Sequence, residues 1–174
     1  MKTNRQEDLV LALYPTSRGF AFALFEGSTN PVDWGVKDVK GPQKNSSTLE
    51  AIDKLTDQYE PDAVVLEDTS AKGTRRSARI RRLYTGVARH AAKKKIEVAR
   101  YSCQEVRETF APDGAFTKYE IAKTIARQIP AFAHRLPRFR KLWMSEDPRQ
   151  GLFDALALGL VYYRDDGDSD NERQ

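Results

Sequence analysis

The chain has 174 residues, 31% of them charged, and a formal charge of +4, which fits one soluble domain long enough to bury a real core. A single cysteine, Cys103, and two histidines, His90 and His134, exclude an intramolecular disulfide and argue against a zinc site. The charge is unevenly spread: Lys72 to Arg100 holds eleven Lys/Arg and one acid, Glu97, while the last ten residues carry Asp165, Asp166, Asp168, Asp170 and Glu172. That layout predicts a polyanionic partner for the basic block and a disordered acidic tail over residues 164–174.

Residues 1–8 are polar and read as a flexible start without a signal peptide. Leu9 to Leu13 is an apolar strand, Tyr14 to Gly19 a tight turn, and Phe20 to Phe25 a second strand, so the pair reads as a hairpin. A turn over Gly27 to Pro31 leads to a third strand, Trp34 to Val39. Ser47-Thr48-Leu49-Glu50 fits a capping box, and Leu49, Ile52 and Leu55 form a helical stripe that ends before Pro61.

Asp62-Ala63-Val64-Val65-Leu66-Glu67-Asp68 follows. Its short, partly β-branched apolar run predicts a strand covered on both faces. Ligands of open α/β sheets bind beyond the carboxyl ends of the strands, which is where Glu67 and Asp68 fall. The same acids would also suit a plain solvated strand end. A helix with Ile80, Leu83, Tyr84, Val87, Ala88 and Ala91 inward comes next, then a strand over Ile96 to Tyr101. Ser102 with Glu105, and Thr117 with Glu120, fit two further capping boxes. Pro130 to Met144 reads as a loop rich in Arg, Pro and aromatics. Asp147-Pro148 predicts the N-cap of a last helix running to about Tyr163. Its apolar run, Leu152 to Tyr163, is interrupted by Asp154 and too short to span a bilayer, so the expected setting is cytoplasmic. An acid inside that apolar helix calls for a partner or a solvated cleft.

Three antiparallel strands, a helix, then parallel strands alternating with helices give an α/β fold with a mixed sheet over residues 9–163. This is the element order of the ribonuclease H-like fold. Within it the chain resembles the RuvC family of Holliday-junction resolvases. The resemblance rests on four segments in order: Leu11 to Phe20, Val64-Val65-Leu66-Glu67, Gly114 to Ala126 with its basic residue ahead of a helix, and Phe153-Asp154-Ala155-Leu156-Ala157-Leu158. It implies a nuclease whose carboxylates hold two Mg²⁺ or Mn²⁺ ions about 3.5–4 Å apart. It also implies branched DNA as partner, and a homodimer.

Only Glu67 and Asp154 match the family's ligand positions. The first-strand aspartate position is Tyr14, whose phenol has an ordinary pKa of about 10 and is a poor Mg²⁺ ligand. The position three residues before Asp154 is Gly151. Asp68 points away from Glu67 if the strand continues. Asp147 lies about 10 Å from Asp154 along a helix and is explained by capping. The implied metal is therefore at most one weakly held ion at Glu67 and Asp154, with Asp68 or Asp147 assisting. The basic residues remain: Lys72, Arg75, Arg76, Arg79 and Arg82 after the Glu67 strand, and Arg138, Arg140 and Lys141 among the aromatics Phe132, Phe139 and Trp143. Arginine forks suit phosphate, and basic residues interleaved with aromatics suit backbone contact with base stacking. Three readings stay open: a DNA-binding protein with an eroded metal site, an active endonuclease with an unorthodox ligand set, and a protein-interaction scaffold.

Overall fold

The computed structural model describes residues 4–141 and 143–168. The opening strands β1 (Leu9–Pro15), β2 (Gly19–Glu26) and β3 (Pro31–Asp38) form an antiparallel meander. The first turn closes where Thr16 Oγ1 accepts from Gly19 N at 3.1 Å. Only glycine fits at position 19, because a Cβ there would lie 1.9 Å from the Lys37 carbonyl oxygen.

Helix α1 (Lys44–Tyr59) starts before the expected capping box: Gln43 is its N-cap and makes no side-chain cap bond. The chain leaves α1 through Glu60 in the left-handed region, φ 47, and enters β4 (Ala63–Glu67). Helix α2 (Ala78–Lys93) is capped by Ser77, whose side chain accepts from Ile80 N. Strand β5 (Glu97–Tyr101) follows, then α3 (Cys103–Phe110) with the full Ser102–Glu105 capping box, and α4 (Lys118–Gln128) capped by Thr117. The expected loop after Pro130 contains a 3-10 stretch, Pro130–Arg135. Helix α5 spans Gln150–Asp168. Asp147 makes the cap bond its pattern predicts, Oδ1 accepting from Arg149 N at 2.9 Å, and the turn over Pro148 and Arg149 leads into the regular helix at Gln150.

Among the described residues the sheet has five strands in the order β3-β2-β1-β4-β5, with β1, β4 and β5 parallel. The period of two along each strand sorts side chains to two cores. Leu11, Leu13, Val64 and Leu66 face α1 and α2 with Ile52, Leu55, Leu83 and Val87. Val10, Ala12, Ala63 and Val65 face α5 with Phe153, Leu156 and Val161. Ala63 to Leu66 are fully buried, the two-sided cover expected of a parallel strand flanked by helices.

Residues 4–8, expected as part of a flexible start, are tied to the end of α5. The Tyr162 hydroxyl donates to Asp8 Oδ2 at 2.6 Å, and the Tyr163 hydroxyl donates to the Asp8 carbonyl at 2.8 Å. Two buried phenols need acceptors, and this short segment supplies them. The helix itself continues past the expected end at Tyr163 as far as Asp168. Residues 169–174 of the expected acidic tail lie outside the described residues.

Helix α5 lies close against β1 and β2 because Gly159 leaves room: a Cβ there would come within 2.8 Å of the buried Phe25 ring. Gly159→Val should therefore destabilise the fold by about 1–3 kcal/mol despite better helix propensity. Urea denaturation with an unchanged m-value checks this.

Candidate functional site

The parallel strands β1 and β4 end side by side. Ala12 pairs with Val65, so two residues further on the same strand faces present Tyr14 and Glu67 toward α5. Helix α5 returns across this end and sets Asp154 against them. Tyr14, Glu67, Lys118, Gln150 and Asp154 line one small cavity of about 60 Å³. Next to it opens a larger cleft of about 510 Å³, whose wall carries Tyr14, the cations Arg18, Arg76 and Lys118 and the acids Asp38, Glu146 and Asp147. The two acids that match the resolvase pattern thus line the same cavity.

Each of them already has a protein cation. Arg76 Nε stands 3.5 Å from Glu67 Oε2, and the Tyr84 hydroxyl donates to the same oxygen at 3.3 Å. Arg76 is held by Nη2 donating to the Pro15 carbonyl at 2.6 Å. Lys118 Nζ stands 3.4 Å from Asp154 Oδ2, 3.5 Å from Glu146 Oε1 and 3.5 Å from the Tyr14 hydroxyl. Gln150 Nε2 donates to Asp154 Oδ1 at 3.1 Å. Both cations also lie against the Tyr14 ring, with Arg76 Cζ 4.9 Å and Lys118 Nζ 5.6 Å from its centroid.

Burial sets the electrostatics. The Asp154 side chain is only 11% exposed, and desolvation pushes its pKa up to about 6 against the pull of Lys118 and Gln150. Burial and the Asp154 charge push the Tyr14 phenol up to about 12, although Lys118 and Arg76 oppose this. Tyr14 is therefore neutral at pH 7. Burial works against the charge of Lys118, but Asp154, Tyr14 and Glu146 outweigh it and raise its pKa.

The assisting acids do not join this group. Asp68 turns to the loop, where its Oδ1 accepts from Ser70 N at 3.0 Å and Ser70 Oγ at 2.6 Å. Asp147 pairs with Arg149 at 2.7 Å. Position 151 cannot supply a ligand without movement, since a Cβ there would meet Thr16 Cγ2 at 2.8 Å. Among the described residues no three Asp, Glu, His or Cys side chains gather as a metal-binding group. The residues present do not fit the two-metal centre that the resemblance implies. Its carboxylates face protein cations, and a neutral phenol stands at the first-strand position.

The basic residues divide into two sets. Lys72, Arg75 and Arg82 are exposed, as are Arg138, Arg140 and Lys141. Arg76 is turned inward, and Arg79 donates from Nη1 to Asn45 Oδ1 at 3.1 Å. Phe139 packs edge-on to Tyr119, ring centroids 5.3 Å apart, which sets the aromatic-basic loop beside the first turn of α4. Trp143 is 79% exposed, with Lys141 Nζ 5.1 Å above its ring. Sequence reasoning met Lys118 only as the basic residue ahead of a helix, with no partner assigned to it, and missed Gln150, which carried no signal.

The raised pKa of Asp154 has a signed consequence. A folded value near 6 above the ordinary 3.8 means that its stabilising effect is present below pH ~4 and lost as pH rises through ~6. Asp154→Asn removes this dependence. Between about pH 4.5 and 7.5 the stability difference should move in the variant's favour by roughly 1–3 kcal/mol. Urea titrations of both proteins at the two pH values check it. A shift of opposite sign would show that pairing with Lys118 outweighs burial.

A scan against protein-family models gives no match, and no curated protein matches by sequence. Solved structures do match. Thermus thermophilus RuvC aligns over 91% of this chain and 96% of its own, with a TM-score of 0.64 at 17% identity. The same protein in complex with Holliday-junction substrate aligns over 92% and 96%, with a TM-score of 0.64 at 15% identity. A Fowlpox virus resolvase with its substrate junction DNA aligns over 90% and 99%, with a TM-score of 0.54 at 14% identity. Identities this low speak for architecture, and the strand order and the closing helix agree with it: the chain has the fold of the RuvC-like Holliday-junction resolvases, of ribonuclease H-like class.

Proposed function

We propose that this protein binds branched or otherwise distorted DNA, with cleavage reduced or absent. One observation carries the reading: at the carboxyl end of a resolvase-type sheet, Arg18, Arg76 and Lys118 stand on the wall of a cleft that also carries Asp38, Glu146 and Asp147, while the two matching carboxylates of the adjoining cavity, Glu67 and Asp154, are occupied by Arg76 and Lys118. Backbone phosphates are the ligand for which such a surface is suited, through arginine forks and lysine charge. Arg75, Arg82, Arg138, Arg140 and Lys141 are exposed, and Arg75 lines a shallow groove with Thr16, Ser17 and Arg76, so they offer further positive charge to a polyanion. Phe139 and Trp143, both largely exposed, offer faces on which unpaired bases stack. The DNA-bound state of the resolvases with this fold supports branched DNA as the partner class.

An active endonuclease is the second reading, favoured by one fact: Glu67 and Asp154 line the same cavity. Binding and cleavage of four-way junction, duplex and single-stranded DNA, with and without Mn²⁺ and at two salt concentrations, separates the readings. Salt-sensitive junction binding without nicking is expected. Metal-dependent nicking that disappears in Glu67→Gln would make the protein a nuclease. No binding to any of the three DNAs at low salt would overturn both.

Binding through backbone phosphates also has a measurable slope. Replacing Arg75, Arg82 and Lys141 together by serine should weaken junction binding and reduce the log K against log[salt] slope by roughly 1 for each phosphate no longer neutralised. Anisotropy titrations across a salt series check the slope, and an unchanged slope would remove these residues from the interface.

A further inference from the structure

We propose that Arg76 and Lys118 are protein-borne replacements for the divalent ions of this fold, a fixed cationic pair that takes one DNA backbone phosphate without metal. The inference rests on the nucleic-acid reading above and adds the electrostatic device by which the cleft does it.

Four observations converge on the pair. First, each retained carboxylate faces its own cation, Glu67 at 3.5 Å from Arg76 and Asp154 at 3.4 Å from Lys118. Charges in this region are therefore already balanced before any ion enters. Second, the one ligand position that separates the two pairs is Tyr14. It stays neutral at pH 7, with its pKa near 12, and its ring contacts both cations. A divalent ion placed here would meet, beside the two carboxylates, two fixed positive charges and a neutral phenol, so repulsion by the cations offsets the attraction that a metal site needs. Third, the cations keep unused donor capacity. Lys118 reaches Asp154, Glu146 and the Tyr14 hydroxyl only at 3.4–3.5 Å, and Glu146 is itself exposed. Arg76 meets Glu67 through a buried Nε at 3.5 Å without a hydrogen bond, so that pair is held by charge alone. Fourth, both cations stand at the openings of helices: Arg76 just precedes the Ser77 cap of α2, and Lys118 is the first residue of α4. The positive ends of two helices therefore add to the two side chains.

A phosphate fits this arrangement where a metal does not. The cleft of about 510 Å³ beside the pair has room for a phosphate and its sugar, with Thr16, Ser17 and Arg18 on its wall and the acids Asp38, Glu146 and Asp147 also lining it. An entering phosphate oxygen takes the place of Glu146 on Lys118. The anion then replaces an exposed carboxylate, so no buried charge is left unpaired.

Two measurements on the full chain test the proposal. In the first, Mn²⁺ is titrated into DNA-free protein and the free aquo-ion followed by electron paramagnetic resonance. The wild type should leave the signal unchanged up to ~1 mM, the weak end of carboxylate ion sites. The triple variant Tyr14→Asp, Arg76→Met, Lys118→Met should take up Mn²⁺. In the second, junction affinity is measured by anisotropy in EDTA and in Mn²⁺ at matched ionic strength. Wild-type affinity should be equal in both. The double variant Arg76→Met, Lys118→Met should lose about tenfold or more in EDTA. The triple variant should recover affinity only when Mn²⁺ is present. Circular dichroism melts establish that each variant is folded. If a variant is not folded, the wild-type titration alone decides. Stoichiometric Mn²⁺ uptake by the wild type, lost in Glu67→Gln, would overturn the proposal while leaving DNA binding intact. A folded double variant that binds junctions as the wild type does would overturn it equally. Failure of the wild type to bind any DNA would instead sink the function on which it rests.

Discussion

The organisation of the cleft follows from one constraint: a carboxylate buried beneath the closing helix must be compensated. Asp154 sits on α5 where Leu152, Phe153, Ala155 and Leu156 are buried around it. An isolated charge in such surroundings costs several kcal/mol. The compensation comes from Lys118, placed at the first position of α4, where the helix dipole disfavours a cation. That local disadvantage is tolerated because Thr117 caps the helix and Glu120 accepts from Phe116 N at 2.8 Å, so the turn is held by other bonds. Glu67 obeys the same constraint from the other side, with Arg76 anchored on the Pro15 carbonyl and Tyr84 reaching over from α2. The start of α4, the entry to α2 and the end of β1 are thus coupled through charges at the carboxyl end of the parallel strands.

The fold was legible in the sequence because its signals are local and repeated. The β-branched run Ala63 to Leu66, the stripe on α2 and the Ser102–Glu105 capping box each specify their element without help from the rest of the chain. Helix starts are less legible. Ser47 and Glu50 satisfy the capping pattern, yet α1 takes up Lys44 to Ser46 and begins earlier. At the other end of the chain, Asp147 makes the cap bond its pattern predicts, onto Arg149 N, and α5 follows from Gln150.

The site was only half legible. Glu67 and Asp154 are visible as acids at the end of an apolar strand and within an apolar helix. Their partners are not, because Arg76 looks in sequence like any other member of the basic block. Only the tertiary structure separates Arg76, drawn inward to Pro15 and Glu67, from Arg75, which faces solvent one residue earlier. Lys118 is more opaque still: it is 36 residues from Asp154, and no spacing rule links the two. A basic stretch in a sequence therefore mixes residues that meet a ligand with residues that hold the site together.

Helix α5 also governs when these parts can meet. It is the last described element of the chain, yet it packs on the central strand β1, whose residues are among the first. Until it docks, the face of the sheet built from Val10, Ala12, Ala63 and Val65 lacks its main cover, and Lys118 has no Asp154 to pair with. Contacts between such distant segments carry a large loop-closure cost and favour slow folding. During synthesis the cleft accordingly cannot form before α5 has emerged, and a chain shortened before Gln150 retains the strands but carries a bare apolar sheet face prone to self-association.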